Sequence, residues 1–235
     1  MAFVLGACTS ALVGPYSFTY TPVQAGKFEI ATWQFLTNAS EPVHIYIEGD
    51  GYAFDKHGKP TRNPTPRQFL MRNLAGKDSG ANVVYVGRPC QYVQNDNCDV
   101  TDWTSGRFSK DGVDSMYLAV KNVAKGRPVV LIGYSGGAMV SGLLIQRHPD
   151  LNVKKWITIA GVLNHKDWTK YFDDAPLDKS LNMTKLPDVS QVHYIARGDK
   201  VVPNKLSYKW IPKSKIVVVE NAKHNRFPNI DLNFK

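Results

Sequence analysis

Short, almost continuous apolar runs alternate along this chain with segments in which apolar residues recur every three or four positions. The runs are typical of buried strands, and the spaced pattern is typical of helices that pack one face against a core. The run from Val43 to Glu48 shows the first type clearly, because it stops at the turn-forming sequence Gly49-Asp50-Gly51. Further strand-like runs cover residues 81–86, 128–133, 156–160, 192–196 and 216–219, and two earlier runs, 18–23 and 28–36, predict an antiparallel pair.

Helices are predicted between these strands. They cover residues 65–76, 113–126 and 136–148, with long irregular segments expected at 87–110 and 162–189. In the first helix, Thr65 has the position and the side chain of an N-cap, and Gly76 ends the helix. Regular alternation of apolar strands with helices predicts an α/β fold whose mainly parallel sheet is covered on both faces. Ligands bind such sheets beyond the carboxyl ends of the strands.

Composition limits the classes of protein to consider. The 235 residues are 43% hydrophobic and 21% charged, with no apolar run long enough to span a bilayer. We interpret residues 14–235 as one globular domain, which a chain of this length accommodates. The formal net charge is +9, but the Lys and Arg residues are scattered, and no aromatic and basic module accompanies them. Nucleic acid is therefore not expected as a partner.

The sequence Gly133 to Gly137 (GYSGG) fits the pattern G-x-S-x-G and lies between a predicted strand and a predicted helix. In this context the pattern is typical of a nucleophile elbow, a strained turn that exposes a serine at the edge of the sheet. The start of the following helix directs backbone N–H groups toward developing negative charge. Ser135 is therefore the candidate nucleophile, and a plain glycine-rich turn is the alternative interpretation.

A serine hydroxyl needs a base that accepts its proton, and the base needs an acceptor that orients it. Of the six histidines, His224 follows the last predicted strand by a few residues and is the preferred base. His165 is its rival, but we expect it to line the pocket instead. Asp199 directly follows another predicted strand and gives the chain order Ser, Asp, His that this constellation shows on α/β sheets. The alternative acids are Asp167, Asp173 and Asp174.

The candidate oxyanion hole combines the backbone N–H of Gly136 with a second N–H from either Asp50 or Gly51. Aromatic and basic residues of the irregular segments are candidates for the pocket, although aromatic residues in loops are more often packing anchors. The candidate pocket residues are Tyr134, Trp103, His165 and Trp168, with Arg88, Tyr92, Arg107, Phe108, Tyr171 and Phe172 as further roof residues. Neither a metal-ligand spacing nor a nucleotide fingerprint occurs, so no metal and no cofactor is expected.

The first residues and the cysteines bear on the cellular compartment in which the protein is found. Leu5-Gly6-Ala7-Cys8 resembles the lipobox of bacterial lipoproteins, so we interpret residues 1–13 as a signal and lipobox remnant with a leader. A coincidental match is the alternative, because Met1 to Val4 are far shorter than an apolar signal core. A disulfide between the nearby Cys90 and Cys98 and a lipidated Cys8 would account for all three cysteines. This predicts a periplasmic or membrane-tethered protein, whereas three reduced thiols would indicate the cytosol.

From about Phe18 onward the chain resembles the α/β hydrolases, and more narrowly a group of exported bacterial hydrolases with few assigned substrates. The narrower resemblance rests on Glu48-Gly-Asp-Gly51, Gly87-Arg-Pro-Cys-Gln-Tyr92 with a second cysteine, Trp103 followed by Arg107-Phe-Ser109, and Asp167-Trp-Thr169 followed by Ser180-Leu-Asn182. It implies the α/β-hydrolase fold with a small loop-rich lid, and a disulfide between Cys90 and Cys98. Glu48 is a departure, because many relatives of the wider fold carry His before the oxyanion turn.

The motifs and the resemblance together predict a serine hydrolase that cleaves a small-molecule carboxylic ester through an acyl-enzyme intermediate. Ser135 would attack, His224 would transfer the proton, and Asp199 would orient the imidazole. An acyltransferase or a thioesterase uses the same constellation and remains an alternative. So does a non-catalytic lipoprotein that uses the fold only for binding, since a fold does not by itself imply a function.

Overall fold

The computed structural model describes residues 18–228 together with residues 230, 232 and 234. Its strands are β1 (Thr19–Tyr20), β2 (Val23–Ala25), β3 (Phe28–Ile30), β4 (Thr32–Leu36), β5 (Val43–Ile47), β6 (Asn82–Val86), β7 (Val129–Tyr134), β8 (Val153–Ile159), β9 (Ser190–Ala196) and β10 (Ile216–Val219). Its α-helices are α1 (Leu70–Lys77), α2 (Lys110–Ala124), α3 (Gly136–Arg147), α4 (His165–Phe172) and α5 (Asn204–Trp210). Two short 3₁₀ turns cover Val100–Trp103 and Lys213–Lys215.

Eight strands form one sheet in the order β1-β4-β6-β5-β7-β8-β9-β10. The pairs β1·β4 and β4·β6 are antiparallel, and the remaining pairs are parallel. Strands β2 and β3 form a separate antiparallel hairpin. The expected mainly parallel sheet is therefore confirmed, and the carboxyl ends of β5, β7, β8, β9 and β10 meet at one edge.

Successive residues of the central strand β7 divide between two apolar layers. Leu131 packs into a core with helices α2 and α3, whereas Val130 and Ile132 pack on the other face with helix α1. Because side chains alternate across a strand, a run that is apolar at every position requires cover on both faces. The continuous apolar character of the central strands thus follows from their place in the middle of the sheet.

The structure differs from the sequence-based expectations at several element boundaries. Helix α1 begins at Leu70 rather than at Thr65, because the Thr65 hydroxyl accepts the backbone N–H of Tyr92 (2.7 Å) and joins a loop instead of capping a helix. The expected leading strand pair is divided into four shorter strands. The sequence predicts an irregular segment over residues 162–189, but the segment contains α4. The first turn of α4 is capped by the Asn164 side chain, which accepts the Asp167 N–H (2.9 Å).

The described residues also bear on membrane association. None of their helices has both the length and the apolar character that crossing a membrane requires. Residues 1–13 and Cys8 lie outside the described part of the chain, so their interpretation stays a prediction.

Candidate active site

Ser135 occupies the sharp turn between β7 and α3, with φ 50° and ψ −119°. The chain passes this turn only because its neighbours lack side chains. A Cβ atom at Gly137 would lie 2.5 Å from the carbonyl oxygens of Ile47 and Glu48, and one at Gly133 would lie 2.5 Å from the Gly137 carbonyl oxygen. Such distances are excluded by steric repulsion, so the glycines are what allow the helix to start against the sheet.

Ser135, His224 and Asp199 form a hydrogen-bonded series. Asp199 Oδ2 lies 2.9 Å from His224 Nδ1, and His224 Nε2 lies 3.1 Å from the Ser135 hydroxyl oxygen. A carboxylate only accepts, so Nδ1 carries the proton, and in a neutral ring Nε2 is then free to accept the serine proton. The other Asp199 oxygen accepts the N–H groups of Val201 (2.8 Å) and Val202 (2.9 Å), which fixes the carboxylate. The structure thus brings together three side chains that lie at the ends of three strands.

The candidate oxyanion turn, residues 49–51, lies directly against this elbow. The Asp50 carboxylate packs on Gly136, since a Cβ atom there would lie 2.0 Å from Asp50 Oδ1. Arg88 Nη1 donates to Oδ1, and Arg107 Nη1 donates to Oδ2 (2.7 Å). Burial opposes ionisation of Asp50, but the two guanidiniums outweigh it and hold its pKa below the usual value. Gly51 lies in the same turn with φ 67°, so both candidate donors of the second N–H border the site.

A second acid, Glu48, is buried behind the turn and is only 3% exposed. Its Oε1 accepts the Gly49 N–H (3.1 Å), and its Oε2 accepts the Tyr85 hydroxyl (2.8 Å). Burial raises the pKa of Glu48 to about 7, because the hydrogen bonds and the distant arginines compensate only part of the lost hydration. At the position where many relatives of the wider fold carry His, this chain therefore has a carboxyl group whose pKa is near neutral pH.

A cavity of about 620 Å³ opens above Ser135 and His224. Tyr134, His165 and Trp168 line it, as expected from the sequence. Burial lowers the pKa of His165 and raises that of Tyr134, so both rings are neutral at neutral pH. Trp168 also donates its indole N–H to the Val201 carbonyl (2.7 Å), which ties helix α4 to the loop that carries the candidate acid.

Trp103 does not line this cavity, so its placement in the pocket was wrong. Its side chain is buried in the core, and its indole N–H donates to the Thr61 carbonyl (3.0 Å). It anchors the loop, as aromatic residues in loops usually do. Of the further roof residues, Arg107 and Phe108 line the cavity, whereas Arg88, Tyr92, Tyr171 and Phe172 do not.

Several lining residues were missed in the sequence. Tyr52 and Phe54 directly follow the oxyanion turn, and Lys200 and Lys223 are the chain neighbours of Asp199 and His224. Proximity to the candidate catalytic residues was the available signal. Arg67 also lines the cavity, and its guanidinium carbon lies 3.5 Å from the centre of the Tyr52 ring.

Cys90 and Cys98 form a disulfide in the loop that supplies both arginines of the turn. Their Cα atoms are 5.8 Å apart, within the usual range for such a bond. The pairing that the resemblance implied is therefore present, and it closes the segment that begins two residues after Arg88.

The overall fold is similar to that of several solved structures. A serine hydrolase from Cycloclasticus zankles has a TM-score of 0.57 at 14% identity, over 88% of this chain and 92% of that chain. The chain has the α/β-hydrolase fold. A lidless α/β serine hydrolase from Xanthomonas campestris (TM-score 0.51, 15% identity, 90% and 88% coverage) and an α/β serine hydrolase homologue from Coxiella burnetii (0.53, 15%, 92% and 92%) are also similar. No protein-family model and no curated protein sequence matches the chain.

Proposed function

We propose that this α/β-hydrolase-fold protein is a serine hydrolase that cleaves a carboxylic ester through an acyl-enzyme intermediate. The observation that carries the proposal is the series Asp199–His224–Ser135, with 2.9 Å and 3.1 Å between the joined atoms. These distances lie within reach for proton transfer from the hydroxyl to the imidazole. The strained elbow supports the same role, since backbone strain of this kind concentrates at functional positions.

In the first half of the reaction, Ser135 Oγ attacks the ester carbonyl as its proton passes to His224 Nε2. The imidazolium is held by Asp199, and it then gives the proton to the departing alcohol oxygen. Water takes the place of the alcohol, His224 removes a proton from it, and the resulting attack on the acyl group releases the acid. His224 Nε2 finally returns a proton to Ser135, so the protein ends each cycle unchanged.

The proposed donors to the oxyanion are the backbone N–H of Gly136 and that of either Asp50 or Gly51. Gly49 is a weaker choice, because its N–H already donates to Glu48. A carboxylate so close to a developing negative charge would oppose the reaction if it were unpaired. Arg88 and Arg107 both bind the Asp50 carboxylate, and this pairing cancels the unfavourable field.

The cavity favours a substrate with an apolar or aromatic part. Aromatic and aliphatic side chains supply much of the lining, among them Tyr52, Phe54, Phe108, Val162, Trp168 and Leu177. Such walls bind apolar groups by removing their surface from water, and only a few polar groups are then needed for orientation.

A fluorophosphonate probe tests the nucleophile, because it labels serines that an adjacent base activates. We expect the wild type and an exposed-serine control, Ser40→Ala, to be labelled, and Ser135→Ala to remain unlabelled. His224→Ala should slow labelling at least about a hundredfold. Equal labelling of wild type and Ser135→Ala would refute the assignment. Hydrolysis of p-nitrophenyl esters of increasing chain length then measures the size of the acyl group accepted.

We also propose an extracytoplasmic location, with a lipid tether at Cys8. The Cys90–Cys98 disulfide supports this, because such bonds persist mainly in oxidising compartments. Maleimide applied to freshly lysed cells of the source organism provides the test. Protection of both loop cysteines is expected, and rapid labelling of both before reduction would contradict the location.

A further inference from the structure

Three cationic side chains stand exposed at the mouth of the active-site cavity: Arg67, Lys200 and Lys223. None of them forms an ion pair with another described residue. The mouth of the cavity is thus a place where positive charge is left without a counter-ion from the described chain.

The acids of the cavity do not cancel this charge. Asp50 is bound by two guanidiniums, and Glu48 is buried with a pKa raised to about 7 by desolvation, so it is partly neutral at physiological pH. An entrance with an excess of one sign attracts ligands of the opposite sign and raises their local concentration. This excess of positive charge would favour a ligand that carries negative charge.

The positions of Lys200 and Lys223 indicate which part of the substrate would carry the negative charge. Lys200 directly follows Asp199, and Lys223 directly precedes His224. In the proposed reaction His224 protonates the departing oxygen, so the part of the cavity beside it receives the alcohol rather than the acyl group. We propose that the substrate is an ester whose leaving alcohol carries an anionic group, such as a carboxylate, a sulfate or a phosphate. This inference rests on the proposed ester hydrolysis.

Arg67 and its neighbours further restrict the chemistry expected of the leaving alcohol. Its guanidinium stacks on the Tyr52 ring, which holds the charge in place before a ligand arrives. Apolar surface of Tyr52, Phe54 and Val201 lies in the same cavity as the cations. A leaving alcohol with an aromatic ring between its hydroxyl and its anionic group satisfies both kinds of surface.

The matched esters 4-acetoxybenzoate and methyl 4-acetoxybenzoate test the proposal, since they share an acyl group and a phenol ring and differ in charge. For each, kcat/KM is divided by the rate constant for hydroxide-catalysed hydrolysis, which removes the difference in leaving-group reactivity. For the wild type at low salt, we expect the anionic ester to be favoured about fivefold, the size that two or three exposed charges produce. The preference should shrink as NaCl is raised to about 0.5 M.

Variants that reverse or remove the charge of Lys200 and Lys223 test whether these residues cause the preference for the anionic ester. In Lys200→Glu/Lys223→Glu we expect the ratio to fall below one, and in Lys200→Gln/Lys223→Gln to fall to about twofold, because Arg67 remains. The control Lys154→Glu/Lys213→Glu makes the same change in net charge at exposed positions outside the cavity and should keep the fivefold ratio. The glutamine pair serves if the glutamate pair fails to fold.

A wild-type ratio near one would overturn the proposal, and so would a preference that both Lys200/Lys223 variants retain. Hydrolysis of the neutral ester without preference would leave the proposed function standing and remove only this inference. Turnover of neither ester by a protein that also resists the fluorophosphonate probe would remove both.

Discussion

The nucleophile elbow and the oxyanion turn meet at the same site but are held in different ways. Glycines hold the elbow, because they let α3 begin against the carbonyls of β5. The turn is held by side chains of a distant loop: Arg88 and Arg107 bind the Asp50 carboxylate, and Gln91 donates to the Gly49 carbonyl (2.9 Å). Steric fit thus fixes one half of the site and charge pairing fixes the other, so the two halves should fail differently when they are disturbed.

The elbow should fail by unfolding. Gly137→Ala places a methyl group 2.5 Å from two backbone carbonyl oxygens, and neither can move without displacing β5. We expect a loss of about 4 kcal/mol in the free energy of unfolding, at the upper end of overpacking effects. Urea denaturation followed by circular dichroism measures it.

Gly126→Ala is the control for this experiment. That glycine has φ 79° and nothing within 4 Å of an added Cβ atom, so only backbone strain is introduced. A cost of about 1 kcal/mol is expected there. If the two variants lost the same stability, steric contact with β5 would not be what constrains the elbow.

The turn should lose catalysis as well as stability. Arg88→Met removes one of the two guanidiniums on Asp50 and a partly buried hydrogen bond to the Arg107 carbonyl. We expect about 3 kcal/mol of destabilisation, as for other broken buried ion pairs, and a kcat at least about tenfold lower in the folded protein. The second effect arises because an incompletely neutralised carboxylate would face the oxyanion.

Lys121→Met is the matched control, because Lys121 pairs with Asp150 at 3.0 Å on the exposed surface. Its loss should change the free energy of unfolding by less than about 0.5 kcal/mol and leave kcat unchanged. Unchanged kcat in folded Arg88→Met would show that the turn, like the elbow, depends on fit rather than on charge.

The same difference explains what the sequence could predict. The elbow is encoded in five consecutive residues, and the order of strands places Asp199 and His224 beside it, so these positions were readable. The partners of Asp50 come from residues 38 and 57 positions further along the chain. Their approach depends on how the folded loop lies across the sheet edge, which no local pattern records.

Trp103 and Thr65 show that tertiary contacts also overturn predictions made from local sequence. Each has a residue type suited to the predicted role, a pocket wall and a helix cap respectively. Each instead makes a hydrogen bond to a remote segment, Trp103 with Thr61 and Thr65 with Tyr92. Residue type and local spacing predict what a side chain is able to do, and tertiary contacts decide which partner it meets.

Glu48 gives the smallest expected effect but the most selective one, because it lies behind the turn and its carboxyl group ionises around neutral pH. Its pKa is raised by burial from 4.5 to about 7 in the folded chain. An acid whose pKa is higher in the folded state disfavours folding increasingly as pH rises from the unfolded value to the folded value. The wild type should therefore lose about 2 kcal/mol relative to Glu48→Gln between about pH 5 and pH 7.

Glutamine retains an oxygen that accepts the Gly49 N–H, so the variant removes the charge and keeps this contact of the turn. Urea denaturation of both proteins at each pH gives the difference directly. Glu41→Gln is the control, since its side chain is exposed and its loss should leave the pH dependence as in the wild type. Parallel curves for wild type and Glu48→Gln would mean that water reaches the carboxylate, and that the buried half of the turn is less closed than its contacts indicate.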